Sequence, residues 1–81
     1  MSMTWDGKSE VFVAAFQKNS REQVHVYLKE YEGVQIIDIR VWYEDRETGQ
    51  FKPTHKGVAI STELYPALSE CVFKIGELLD A

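Results

Sequence analysis

The sequence predicts an α+β fold, in which a four-stranded antiparallel sheet is followed by one C-terminal helix (β-β-β-β-α). Residues 24–30 and 34–43 alternate between apolar and polar side chains, as strands that cover a core on one side do. Gly33 stands between them, where a tight turn joins antiparallel neighbours. From residue 64 onward, apolar residues recur at spacings of three and four, which is typical of an amphipathic helix.

The first and last strands are predicted to be shorter. Residues 10–16 are rich in Val and Phe, and residues 18–22 form a polar turn cluster. Thr48 and Gly49 lie in a hairpin loop predicted over residues 44–50. Proline cannot donate to a central ladder, so Pro53 places the last strand roughly at residues 56–60.

The alternation of residues 34–43 also divides the side chains between two faces. Ile37, Ile39 and Val41 share a face that should pack on a core, whereas Asp38, Arg40 and Trp42 share a presented face. On the presented side, Asp38 is expected to be exposed and His25 to be a surface histidine.

The helix has a start signal in its sequence. Ser61 is a candidate N-cap, Glu63 is an acid in the first turn, and Pro66 lies where a missing N–H costs little. The apolar stripe is expected to cover the apolar face of the sheet, and Cys71 on that stripe is expected to be buried.

At 81 residues the chain has room for one domain, predicted at residues 9–81 after a flexible lead-in at residues 1–8. So short a chain buries only roughly 60% of its unfolded surface, so good packing or oligomerisation must stabilise it. The single cysteine excludes an intrachain disulfide, and no metal-ligand spacing occurs, so no cofactor is expected. No apolar run reaches the roughly 20 residues of a membrane span and no signal peptide is visible, so the expected location is cytoplasmic without a membrane partner, and nucleoid-associated if the source is a bacterium.

The charge distribution matters more for function than its sum of −4. Acids outnumber cations after Gly57, whereas the middle of the chain is mixed. Aromatic and cationic side chains on one sheet suit a single-stranded nucleic acid, because cations meet phosphates and flat rings stack on unpaired bases.

Between residues 24 and 68 the chain resembles the DNA-binding domain of the transcriptional coactivator positive cofactor four. The shared pattern is Tyr31-Glu32-Gly33, then Ile-Asp-Ile-Arg with paired aromatics (residues 37–43), an acidic hairpin, Lys-Pro-x-x-Lys-Gly (residues 52–57) and a helix with Tyr65 in its first turn. The resemblance implies a curved sheet, a homodimer, and binding of single-stranded DNA without strong sequence preference.

The resemblance also implies which residues bind DNA: stacking rings, cations and the residues that shape the hairpin. Carried over by position, these are Lys29, Tyr31, Arg40, Trp42 or Tyr43, Lys52, Pro53, Lys56 and Gly57. The alternation of side chains along the strand puts Trp42 on the same face as Arg40, whereas alignment with the family pattern favours Tyr43 as the stacking ring. Both residues therefore remain candidates.

The leading hypothesis is therefore a dimeric single-stranded-DNA-binding protein acting in transcription, replication or repair. The alternative is a transcription cofactor whose free sheet face contacts a protein of the transcription machinery. RNA binding through the same face is a variant, since stacking tolerates either sugar. No convergent nucleophile, base or metal set is visible, so no enzyme is expected.

Overall fold

The computed structural model describes residues 4–80 and confirms the predicted fold. Four antiparallel strands form one open, curved sheet in the order β1-β2-β3-β4, and one helix follows. The elements are β1 (Val11–Gln17), β2 (Glu22–Tyr31), β3 (Val34–Glu44), β4 (Phe51–Ser61), a 3₁₀ turn (Thr62–Leu64) and α1 (Tyr65–Leu79). Within these residues no helix has the length and apolar character that a membrane crossing needs.

The hairpin between β2 and β3 sets the register of the central strands. Glu32 and Gly33 both have positive φ, 50° and 80°, the conformation of a type I′ turn that suits the twist of paired strands. Tyr31 therefore pairs with Val34, and the register continues without irregularity to Glu22 opposite Tyr43.

The last strand is longer than predicted, because β4 begins at Phe51 and contains Pro53. The prediction was wrong because β4 is an edge strand, where a missing N–H breaks no ladder on its outer side. Gly57 pairs with Arg40, and a Cβ at Gly57 would lie 2.7 Å from the carbonyl oxygen of Ile39. Glycine is needed at this position for the close approach of the two strands.

The apolar face of the sheet and the start of the helix enclose an apolar cleft of about 490 Å³. Ile37, 6% exposed, is the buried hydrophobic residue at its floor, and Leu68 and Tyr65 enter from the helix. The cap prediction is confirmed, because the Ser61 hydroxyl accepts a hydrogen bond from the Glu63 N–H.

The expectation that the helix stripe covers its own sheet was wrong beyond the first helical turn. No residue of α1 is buried, and Val72, Ile75 and Leu79 are 58%, 55% and 79% exposed. Cys71 is exposed as well, contrary to prediction. The helical segment contacts β3 through the 3₁₀ turn, so the sheet supports the start of α1 and leaves its later turns unsupported.

An N-terminal turn lies against the start of β3. The Asp6 carboxylate accepts hydrogen bonds from the Ser9 hydroxyl and from the N–H groups of Ser9 and Lys8, which lower its pKa to about 2. Gln35 Nε2 donates to the Gly7 carbonyl at 3.3 Å. Residues 1–3 of the predicted lead-in lie outside the described residues, and its flexibility stays a prediction.

Candidate nucleic-acid interface

The face of the sheet opposite the helix, here called the polar face, carries side chains from all four strands. The β2–β3 register places His25 opposite Arg40 and Tyr27 opposite Asp38. An open cleft of about 590 Å³ lies over this region. Its lining combines rings, cations and acids: Glu10, Tyr27, Lys29, Asp38, Arg40, Trp42, Pro53, Thr54 and His55.

Asp38 holds the cations of the cleft in place. It is 5% exposed, which corrects the expectation of an exposed aspartate. Arg40 donates to it from Nη2 at 2.9 Å and from Nε at 3.2 Å, and Lys29 Nζ lies 3.4 Å from its other oxygen. Arg40 Nη1 also donates to the Thr54 carbonyl at 3.0 Å, which ties β3 to β4. A buried carboxylate needs such partners, so both cations are oriented but partly neutralised.

Four rings gather beside this ion-pair cluster. The rings of His25 and Trp42 are stacked, with centroids 4.5 Å apart and planes 10° apart. Tyr27 lies 5.8 Å from Trp42 at 18°, nearly parallel to it. Phe12 of β1 meets His25 and Tyr27 edge-on at 5.7 and 5.4 Å. The centre of the polar face is thus a continuous aromatic surface next to Lys29 and Arg40.

Part of the predicted set comes together in this cleft. Lys29, Arg40, Trp42 and Pro53 line it, so the structure places Trp42 on the same face as Arg40. Tyr31 lies at the end of β2, 63% exposed and outside the cleft lining. The DNA contacts assigned to all of these residues stay predictions.

The other predicted residues lie toward the β3–β4 hairpin. Tyr43 pairs with Lys52 and is 41% exposed, on the face opposite Trp42. Lys52 Nζ lies 2.8 Å from Asp45, a pairing that raises the pKa of the lysine and lowers that of the aspartate. Lys56 makes no ion pair within residues 4–80, and Gly57 allows the strands to meet.

Sequence reasoning missed two rings of the polar face, because it treated His25 as a surface histidine and gave Tyr27 no role. The hairpin at Gly33 could have located both, since a two-residue turn fixes the register and sets Tyr27 opposite Asp38. Burial lowers the pKa of His25, which keeps its ring neutral near pH 7. Among residues 4–80 no group of three or more potential ligands is placed to hold a metal ion.

Fold and site together define a class: a small sheet-and-helix protein with an open surface of rings and cations on the sheet. A family model described as transcriptional coactivator p15 (PC4) matches residues 16–71. The chain belongs to this family, as its resemblance predicted.

Individual relatives agree with this family assignment. The yeast (Saccharomyces cerevisiae) RNA polymerase II transcriptional coactivator SUB1 is 36% identical over 62 residues, which are 76% of this chain. The match spans 20% of the yeast protein, so the chain corresponds to about a fifth of that relative.

Solved structures share the fold. A PC4 homolog from Burkholderia pseudomallei superposes with a TM-score of 0.73 at 26% identity, covering 84% of this chain and 98% of that one. A bacteriophage T5 homolog of PC4, implicated in recombination-dependent DNA replication, has a TM-score of 0.60 at 21% identity, covering 88% of this chain and 77% of the phage protein.

Proposed function

We propose that this protein binds single-stranded DNA on the polar face of its sheet, without strong sequence preference. One observation carries the proposal: Trp42 and Tyr27 lie in the same open cleft as Lys29 and Arg40. Stacking on such rings contributes roughly 1–3 kcal/mol per base, and every base has a flat face to offer. The family match supports a nucleic acid as the ligand, because the family is that of a transcriptional coactivator.

The face suits a single strand better than a duplex. Its rings are reached only by unpaired bases, because bases within a helix are already stacked on each other. Cations and rings are adjacent across neighbouring β-strands. This arrangement suits single-stranded DNA, whose phosphates and bases alternate along its length. We place the role in transcription, replication or repair, where melted DNA occurs.

The proposed binding unit is a homodimer. Val72, Ile75 and Leu79 lie on one stripe of α1 and are more than half exposed in the single chain, and an apolar cleft stays open beside its first turn. Exposed apolar surface on a chain with so small a core is best buried against a second copy.

Sedimentation equilibrium tests the homodimer. The intact protein is expected at twice its 9.4 kDa chain mass, and Ile75→Glu is expected at the chain mass. Glu77→Ala, on the opposite side of the same helix, is the matched control and should stay dimeric. A monomeric parent protein would reject the dimer.

Fluorescence anisotropy tests the binding. A labelled oligo-dT of about 20 nucleotides, the corresponding duplex and an oligo-U are titrated at two salt concentrations, because phosphate contacts release counterions and weaken with salt. We expect tight binding of the single strand at low salt and a steep loss at high salt. Absence of binding at low salt, or equal affinity for the duplex, would reject the proposal, and preference for oligo-U would make RNA the ligand.

The second candidate is a protein-interaction module that contacts the transcription machinery. The buried Asp38 favours it, because this carboxylate neutralises part of the charge of Lys29 and Arg40. Reversing the charge of Lys52 and Lys56 separates the two functions. The double variant should weaken DNA binding through the phosphate contacts predicted at the hairpin, whereas an apolar protein interface on the sheet would persist.

A further inference from the structure

His25 is stacked against Trp42, the ring that the proposed function assigns to base stacking. We propose that His25 is a positioning residue, which stacks against one face of the Trp42 ring and holds it so that one base stacks on the other face. The inference rests on the proposed binding of single-stranded DNA and adds a residue that neither motif nor alignment assigned.

The ring geometry shows one ring covering two neighbours. Trp42 lies 4.5 Å from His25 and 5.8 Å from Tyr27, with angles of 10° and 18°, while His25 and Tyr27 are 6.3 Å apart. These distances fit a Trp42 ring layered over His25 and offset toward Tyr27. One face of the indole is therefore covered from within, which leaves the other face to the cleft.

His25 is itself fixed from two sides. Its Nε2 lies 2.8 Å from Gln23 Oε1, and Gln23 in turn donates to Gln17 on β1 at 3.1 Å. Phe12 closes the other side edge-on. A ring held in this way gives Trp42 a rigid support, and a side chain ordered before the ligand arrives loses less entropy on binding.

His25 supports Trp42 through ring contact, and its polar contact with Gln23 acts on His25 alone. His25 Nδ1 and Trp42 Nε1 are both buried without a hydrogen-bond partner in residues 4–80. Phenylalanine at position 25 would keep the flat surface and remove the unpaired Nδ1, at the loss of the contact between Nε2 and Gln23. Alanine would remove the support altogether.

Several charged or ionisable side chains surround His25 and Trp42. Arg40 opposite it and Asp38 form an ion pair, Lys29 pairs with the same carboxylate, and Glu10 and His55 line the cleft. His55 is kept in every variant below.

The test compares His25→Ala and His25→Phe in a Trp5→Phe background, where Trp42 is the only tryptophan. Oligo-dT affinity is measured by anisotropy at several salt concentrations. Aromatic pairs of this kind predict a loss of about two- to tenfold for His25→Ala, equal at every salt concentration, because no phosphate contact is lost. His25→Phe should bind like the parent.

Trp42 emission gives a second readout that a general loss of stability would not produce. In the parent, emission should change on acidification as His25 becomes protonated, and this titration should be absent from both variants. Urea melts confirm that each variant is folded under the assay conditions.

Three results would overturn the role of His25: parental affinity in His25→Ala, an equal loss in His25→Phe, or an unchanged emission titration in His25→Phe. A parent protein that binds no oligonucleotide would reject the proposed function and this inference together. A parent that binds, with His25→Ala binding equally well, would reject the inference alone.

Discussion

Replacing Asp38 by Asn tests whether the ion pairs that Lys29 and Arg40 make with Asp38 stabilise the fold and weaken DNA binding. The carboxylate pairs with Arg40 at 2.9 Å and Lys29 at 3.4 Å, and its side chain is 6% exposed. Asp38→Asn keeps the size of the side chain and removes its charge. The variant should therefore unfold more easily and bind single-stranded DNA more tightly.

The stability cost follows from the exposure of the three partners. Breaking a fully buried ion pair costs about 3–5 kcal/mol. The side chains of Arg40 and Lys29 are 24% and 33% exposed, so water compensates part of the loss. We expect a decrease of about 1–3 kcal/mol in the free energy of unfolding, because the asparagine still accepts a hydrogen bond. For a domain of this size that lowers Tm by about 5–20 °C.

The gain in binding follows from electrostatics. A negative charge about 5 Å from a bound phosphate repels it by about 0.8 kcal/mol in water, so its removal raises affinity roughly fourfold. If both cations then reach phosphates, the slope of log K against log salt steepens by about 1.4 for a single strand. Urea melts and oligo-dT anisotropy at several salt concentrations measure the two effects.

Asp80→Asn is the matched control, since it makes the same chemical change at an exposed position after the helix. It should leave both stability and the salt slope nearly unchanged. Weaker binding with a shallower slope in Asp38→Asn would refute the reasoning, because it would mean that DNA needs the ion-pair cluster intact. Unchanged stability would refute the energetic role of the pair.

Three further predictions follow from single sites. Lys56→Glu should weaken oligo-dT binding and reduce the slope of log K against log salt by about 0.7 per lost phosphate contact. Lys74→Glu makes the same charge change on the helix and should leave both unchanged. The same slope in Lys56→Glu and the parent would contradict the predicted role of Lys56. Gly57→Ala should lower the free energy of unfolding by about 1–3 kcal/mol in urea melts, since its Cβ would lie 2.9 Å from the Arg40 Cα. The control Gly76→Ala meets no atom within 4 Å and should raise the free energy of unfolding by up to about 1 kcal/mol. A Gly57→Ala variant as stable as the parent would show that the two strands can move apart. Burial lowers the pKa of His25 in the folded state, so unfolding should take up a proton at acidic pH. The free energy of unfolding should therefore fall as pH drops below about 6.5, the pKa of an unfolded histidine. In melts between pH 7 and 5, His25→Phe should show a smaller fall in the free energy of unfolding than the parent.

Much of the fold was readable from local signals. Alternation located β2 and β3, Gly33 located their turn, and Ser61 located the start of the helical segment. These features depend on the side-chain period and on backbone conformations that few residues adopt, so a single sequence reveals them. The family pattern then supplied the candidate residues, and its assignment is confirmed.

The sequence by itself therefore determined the order of elements, the two faces of the central strands and the family. Tertiary structure decided what those faces do. In the folded chain Asp38 is buried between two cations and Trp42 is stacked against His25. Pro53 lies in an edge strand, and the later turns of α1 are exposed in the single chain. The physical reason is common to all four: each depends on which strands are neighbours and how their side chains meet, and period-two alternation carries no information about contacts across strands.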